Sequence, residues 1–143
     1  MFGLFKKKKA DINADFIDKA AAMMRLQIML CRFEPEFVPA LDKDIVRGYF
    51  VGWFDSCLQR LGVSIADDET FFHLMLRAHE ILLPMYVDDI RQYTFTSMRR
   101  QDALAFQKGM QVGGSEFLEV LGSVRKPLAF AQYIHEGRGP LAG

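Results

Sequence analysis

Between Asp44 and Leu61 the chain reads DIVRGYFVGWFDSCLQRL, and this stretch limits the possible folds more than any other. At 100° per residue, Val46, Tyr49, Phe50, Trp53, Phe54, Cys57, Leu58 and Leu61 cover about half of a helix surface. Gly48 and Gly52 stand off that face, in line with Ser56, as a strip without bulk. A glycine inside a helix costs about 1 kcal/mol relative to alanine, so a pair at i and i+4 implies that another backbone comes close there. The expectation is a central helix contacted on two sides.

A second stretch echoes the first. GYFVG at Gly48 to Gly52 and GMQVG at Gly109 to Gly113 share the pattern G-x-x-V-G, and each run ends in Leu-Gly, at Leu61-Gly62 and Leu121-Gly122. The match needs a one-residue slip, so coincidence is the simpler explanation than a duplicated hairpin. Either way, Gly48, Gly52, Gly109 and Gly113 mark two helices able to cross tightly.

The remaining segments are also helical in pattern. From Asp11 or Asn13 to about Arg32, Ile17, Ala20, Ala21, Met24, Ile28 and Cys31 form one apolar stripe and Met23, Leu26, Leu30 and Phe33 a second. A helix this apolar is either central or covered on one side by a partner; on the second reading Met23, Leu26, Leu30 and Phe33 are the interface. Glu34 to Lys43 holds two prolines and reads as a loop with Phe37 and Val38 turned inward. A helix capped by Asp67 runs from Asp68 to Tyr93, with Pro84 kinking it on its wet side or breaking it at Leu83. After a link at Thr94 to Ser97, a fourth long helix spans Met98 to Leu121, and a short one follows Pro127 to His135. The expected fold is all-α, an antiparallel bundle of four long helices plus a short C-terminal helix, with residues 11–136 as one domain. Residues 1–10 read as a tail, and 137–143 as a glycine-rich tail that stays loose unless it docks.

Charge and composition narrow the function. Eighteen basic side chains balance eighteen acidic ones, which argues against a nucleic-acid binder working by net charge. No apolar run reaches the length of a membrane span, and the opening MFGLFKKKKA lacks a secretory h-region. Phe2, Leu4 and Phe5 followed by Lys6, Lys7, Lys8 and Lys9 offer peripheral contact with an anionic membrane, or simply a solubilising end. Cys31 and Cys57, without metal-like spacing, suit reduced thiols in a cytoplasmic protein.

No catalytic constellation emerges. Ser56, Cys57 and Ser115 are the nucleophile candidates, yet none sits on a strand-to-helix elbow, and Gly113-Gly114-Ser115 lies within a helical pattern rather than a phosphate loop. Glu69, His73 and Glu80 share a helix face with Arg77 and Arg91, which suits salt bridging better than a metal. No metal or cofactor is expected. The first functional expectation is a small non-enzymatic interaction or regulatory protein, homodimeric or bound to another protein. The alternative is a bundle holding a hydrophobic small molecule or cofactor between its helices, with His79, Tyr86 and Trp53 near the cavity, and compatible with membrane attachment through the N-terminal tail.

Overall fold

The computed structural model describes residues 9–62, 64–65, 67–122 and 126–142, and among these there are seven helices and no strand. They are α1 (Lys9–Cys31), α2 (Phe37–Ala40), α3 (Asp44–Leu61), α4 (Asp68–Leu82), α5 (Ile90–Met98), α6 (Leu104–Leu121) and α7 (Ala129–Glu136). The expected all-α class is therefore correct. Residues 1–8, with the apolar and lysine-rich opening, lie outside the described residues.

α3 is central. Its aromatic face is fully buried at Tyr49, Phe50, Trp53 and Phe54, and it packs against α1, α4, α5 and α6. Against α1 it runs antiparallel: Tyr49 meets Gln27, Trp53 Nε1 donates to the Ala20 carbonyl at 3.1 Å, and Cys57 Sγ approaches the Phe16 carbonyl at 3.6 Å. Its other side is the glycine strip, and there it meets α6 backbone to backbone. A Cβ on Gly52 would sit 2.6 Å from Met110 Cα, and one on Gly113 would sit 2.9 Å from Trp53 N. One on Gly48 would reach the Phe106 carbonyl carbon at 2.8 Å, and one on Gly109 the Tyr49 nitrogen at 2.8 Å. All four glycines thus serve one seam, and the two G-x-x-V-G stretches are its two halves.

The partners advance together along this seam, 48 with 106, 52 with 110, and Ser56 bonded to the Gly114 carbonyl at 3.2 Å. So α3 and α6 are parallel, which corrects the antiparallel bundle for the tightest pair in the molecule. The reason lies in the connection. α4 returns the chain, α5 turns it again, and Arg100 holds Asp44 at 2.8 Å, pinning the approach to α6 beside the first residue of α3. α1 and α4 are parallel as well, joined by Arg77 to Asp18 at 2.6 Å near their middles and by a groove shared by Arg25 and Arg32 with Ile81 and Met85 further along.

Local chemistry explains the other departures. α4 ends at Leu82 because Pro84 cannot supply the next helical amide, so the break at Leu83 is realised and the continuous helix is not. Asp89 then accepts from Gln92 N at 3.0 Å and caps α5, so the expected link at Thr94 to Ser97 is helical. α6 begins at Leu104 instead of Met98. Within the proline-bearing loop Phe37 is fully buried against Tyr86 and Phe130, whereas Val38 is exposed, contrary to its expected inward turn. The glycine-rich end docks, with Leu141 buried in the core.

Gly113→Ala should destabilise the protein by about 1–3 kcal/mol, the usual range for overpacking, because its methyl would press on the Tyr49–Trp53 backbone. Gly114→Ala, whose Cβ would meet only Gly52 O at 3.6 Å and Ser56 Cβ at 3.8 Å, should be neutral or stabilising. Denaturant titration of both variants checks the contrast, and equal effects would contradict it.

Candidate functional site

α1 builds two faces from one periodicity. Ile17, Ala21, Met24 and Ile28 go into the core, and Leu26, Met29, Leu30 and Phe33 point outward. Their exposures are 64%, 58%, 59% and 84%, values far above those of ordinary partly covered side chains. Within a helix, Ala22, Leu26, Met29 and Phe33 step by three and four residues, which aligns them as a straight seam. The Arg32 amide still bonds the Ile28 carbonyl at 2.9 Å, and Phe33 follows in the turn just past α1, 84% exposed. Met23, expected with this group, is half-buried and packs on the core instead.

Grooves flank the seam. On one side Leu30 joins Leu128, Ala131, Gln132 and His135 around a depression of about 660 Å³. On the other, Arg25, Met29, Arg32, Pro84 and Met85 border a shallow one of about 70 Å³, with Met85 83% exposed. Met29, Met85 and Leu128 belong to this surface and escaped the sequence reading. Met29 was findable, lying three residues after Leu26; the other two arrive from distant segments.

α7 is fixed beside α1 by a buried polar cluster. Leu128 provides no side-chain cap, and the free amides at the start of α7 are taken by tertiary partners: Ala129 N donates to Glu116 Oε2 at 3.1 Å and Ala131 N to Gln27 Oε1 at 2.7 Å. Gln27 Nε2 donates to the Tyr49 hydroxyl at 2.8 Å, and that hydroxyl donates to the Glu116 carboxylate. Burial, reinforced by the Glu116 charge, drives the Tyr49 hydroxyl well above its ordinary pKa. The carboxylate meets the positive end of α7, an arrangement that favours it electrostatically. The cluster therefore holds α1, α3, α6 and α7 together.

The residues expected near a ligand sit among different neighbours, and Tyr86 borders the groove that holds Arg25 and Met85. Trp53 packs edge-on against Phe117 at 5.1 Å and bonds α1. Tyr86 stands edge-on to Phe37 at 5.0 Å. His79 is wholly buried between Phe54 and Tyr93, with Nδ1 donating to the Met75 carbonyl at 2.7 Å and Nε2 without a hydrogen-bond partner among the described residues. A groove of about 830 Å³ does open between α4 and α5, walled by Phe71, Phe72 and Phe95 with Arg91 over the Phe72 ring at 5.9 Å. Neither Trp53, His79 nor Tyr86 lines it.

Arg47 is the other buried charge. It donates to the Tyr93 carbonyl and Ser97 Oγ, each at 2.9 Å, and to Asp42 at 3.1 Å, while its guanidinium covers the Tyr93 ring at 4.0 Å. This side chain anchors α5 to α3. Cys31 and Cys57 are buried unpaired thiols, pushed by burial up to about 12 and about 11, so neither is a ready nucleophile. Ser56 is committed to the Gly114 carbonyl. His73 touches Glu69 at 3.6 Å on an exposed face, and among the described residues no group of three or more His, Cys, Asp or Glu could hold a metal ion. No described helix is long and apolar enough to cross a membrane.

Burial, with the Arg47 charge adding to it against the Met75 hydrogen bond, lowers the His79 pKa from 6.5 to about 4. The unfolded chain therefore takes up this proton first, so the stability tied to neutral His79 is complete above pH 6.5 and is lost as pH falls toward 4. The whole effect is roughly 3 kcal/mol. Unfolding free energies measured between pH 7 and 4.5 should fall more steeply for the parent than for His79→Gln, and parallel curves would contradict this.

No protein-family model matches the chain, and no curated protein and no solved structure matches it.

Proposed function

We propose that this is a non-enzymatic interaction protein that binds another protein chain along the outer face of α1. The observation that carries the reading is the run of Leu26, Met29 and Leu30 on α1 with Phe33 in the turn just past its end, all more than half exposed. Burying such side chains stabilises a complex by about 1.5–3 kcal/mol each before association costs, while leaving them in water favours self-association or aggregation. The face is also well supported. Behind it stand the buried stripe of α1 and the Gln27 cluster, so a partner would meet a surface ordered in advance. Exposed methionines at Met29 and Met85 add an adaptable rim, a composition suited to docking helices.

Leu26→Lys combined with Phe33→Lys tests this. Both positions are solvent-exposed in the isolated chain, so unfolding free energy should stay within about 0.5 kcal/mol of the parent. Chemical cross-linking in cells of the source organism should trap a complex with the parent and lose it with the double variant. Identical cross-linked species from both proteins would refute the reading.

A further inference from the structure

The occupant can be specified further, on the basis of the docking surface just described. The charged side chains that border the seam are unequally satisfied. Glu34 contacts His135 Nδ1 at 3.3 Å and Glu136 contacts Arg138 at 3.2 Å, so the acids are engaged. Arg25, Arg32 and Lys126 make no ion pair among the described residues. Arg32 is the most telling: its guanidinium is held 4.6 Å over the Phe33 ring, and its Nε is buried without a hydrogen-bond partner among the described residues. Arg25 lies seven residues earlier on the same edge, about two helical turns away. The two therefore form one cationic edge along Leu26, Met29 and Phe33, with Met85 beyond it.

We propose that this seam receives an amphipathic helix of a different protein, apolar along its centre and carrying carboxylates on the edge that faces Arg25 and Arg32. A helix is the matching element because the exposed positions step by three and four residues, the spacing that interleaves with a second helix. Carboxylates match because guanidinium groups form charge-assisted hydrogen bonds with them, and here one guanidinium is already oriented by its aromatic neighbour. A second copy of the chain is the poorer occupant. A two-fold axis perpendicular to α1 sets the Arg25–Arg32 edge against itself, like charge against like, and one running along α1 sets it against the opposite border, where Lys126 stands and Glu34 and Glu136 are already engaged.

The test uses the full chain and two synthetic helices of about three heptads, both with Leu at a and d, one with Glu and one with Lys at e and g. Calorimetric titration should show the Glu helix binding roughly fivefold or more tighter than the Lys helix, with the gap narrowing at high salt. Arg25→Glu with Arg32→Glu should reverse the preference, and Leu26→Lys with Phe33→Lys should abolish binding of both. Equal affinity for the two helices would overturn the acidic partner while leaving the docking surface intact. Seam-dependent dimerisation by light scattering, with no binding of the Glu helix, would overturn it in favour of a second copy. Peptide binding indifferent to Leu26→Lys and Phe33→Lys would overturn both the acidic partner and the surface itself.

Discussion

Four glycines let two helices touch along their backbones, and the rest of the molecule is arranged around that contact. At Gly48, Gly52, Gly109 and Gly113 the hydrogen standing where a Cβ would be points at the opposing backbone, placing carbonyl oxygens of Phe106, Met110, Ile45 and Tyr49 within reach of weak Cα–H···O bonds. Such bonds contribute on the order of 0.5–1 kcal/mol each, and the close approach adds dispersion that bulkier side chains would prevent. The intrinsic cost of glycine in a helix is thereby offset. Because the seam carries no side-chain bulk, every large residue of α3 is free for the opposite face. That face holds Tyr49, Phe50, Trp53 and Phe54 in a continuous aromatic core with Phe117 and Phe130.

The parallel arrangement of α3 and α6 has a topological consequence. Parallel neighbours cannot be joined by a short turn, so the chain must leave and come back. The α4–α5 excursion does this, secured by Arg47 on Tyr93 and Ser97 and by Arg100 on Asp44. Past α6, the last helix lands across Gln27 and Glu116, whose side chains replace the cap its own sequence lacks. α1 is thus gripped from inside by α3, α4 and α7, and its outer face is left uncovered by the described residues. The surface proposed to bind a partner is the remainder of a fold that satisfied its other needs internally.

Periodicity revealed what depends on neighbours within a helical turn. The wide apolar face of α3, the glycine strip, the Asp67 cap and the outward group Leu26, Leu30 and Phe33 are all local patterns, and all were readable. Direction was not. Nothing local to Gly48 or Gly109 says whether their helices run together or opposed, because either orientation brings small residues face to face. The polar cluster was equally hidden: Gln27 and Ala131 are far apart in the chain, and Glu116 looks like any surface glutamate until α7 covers it. Asp89 was a readable cap, but the apolar spacing that continues through Tyr86, Ile90 and Tyr93 masked it by extending the preceding helix across Pro84. Met85 and Leu128 joined the candidate surface only through tertiary placement.

Native-state hydrogen exchange addresses the central role of the glycine seam most directly, since it reads the opening free energy of each helix separately. If the seam is the last structure to open, amides of α3 from Gly48 to Trp53 and of α6 from Met110 to Gly113 should exchange only through global unfolding, with α1 and α7 opening at lower free energy. Seam amides that exchange faster than those of the buried stripe of α1 would contradict the account.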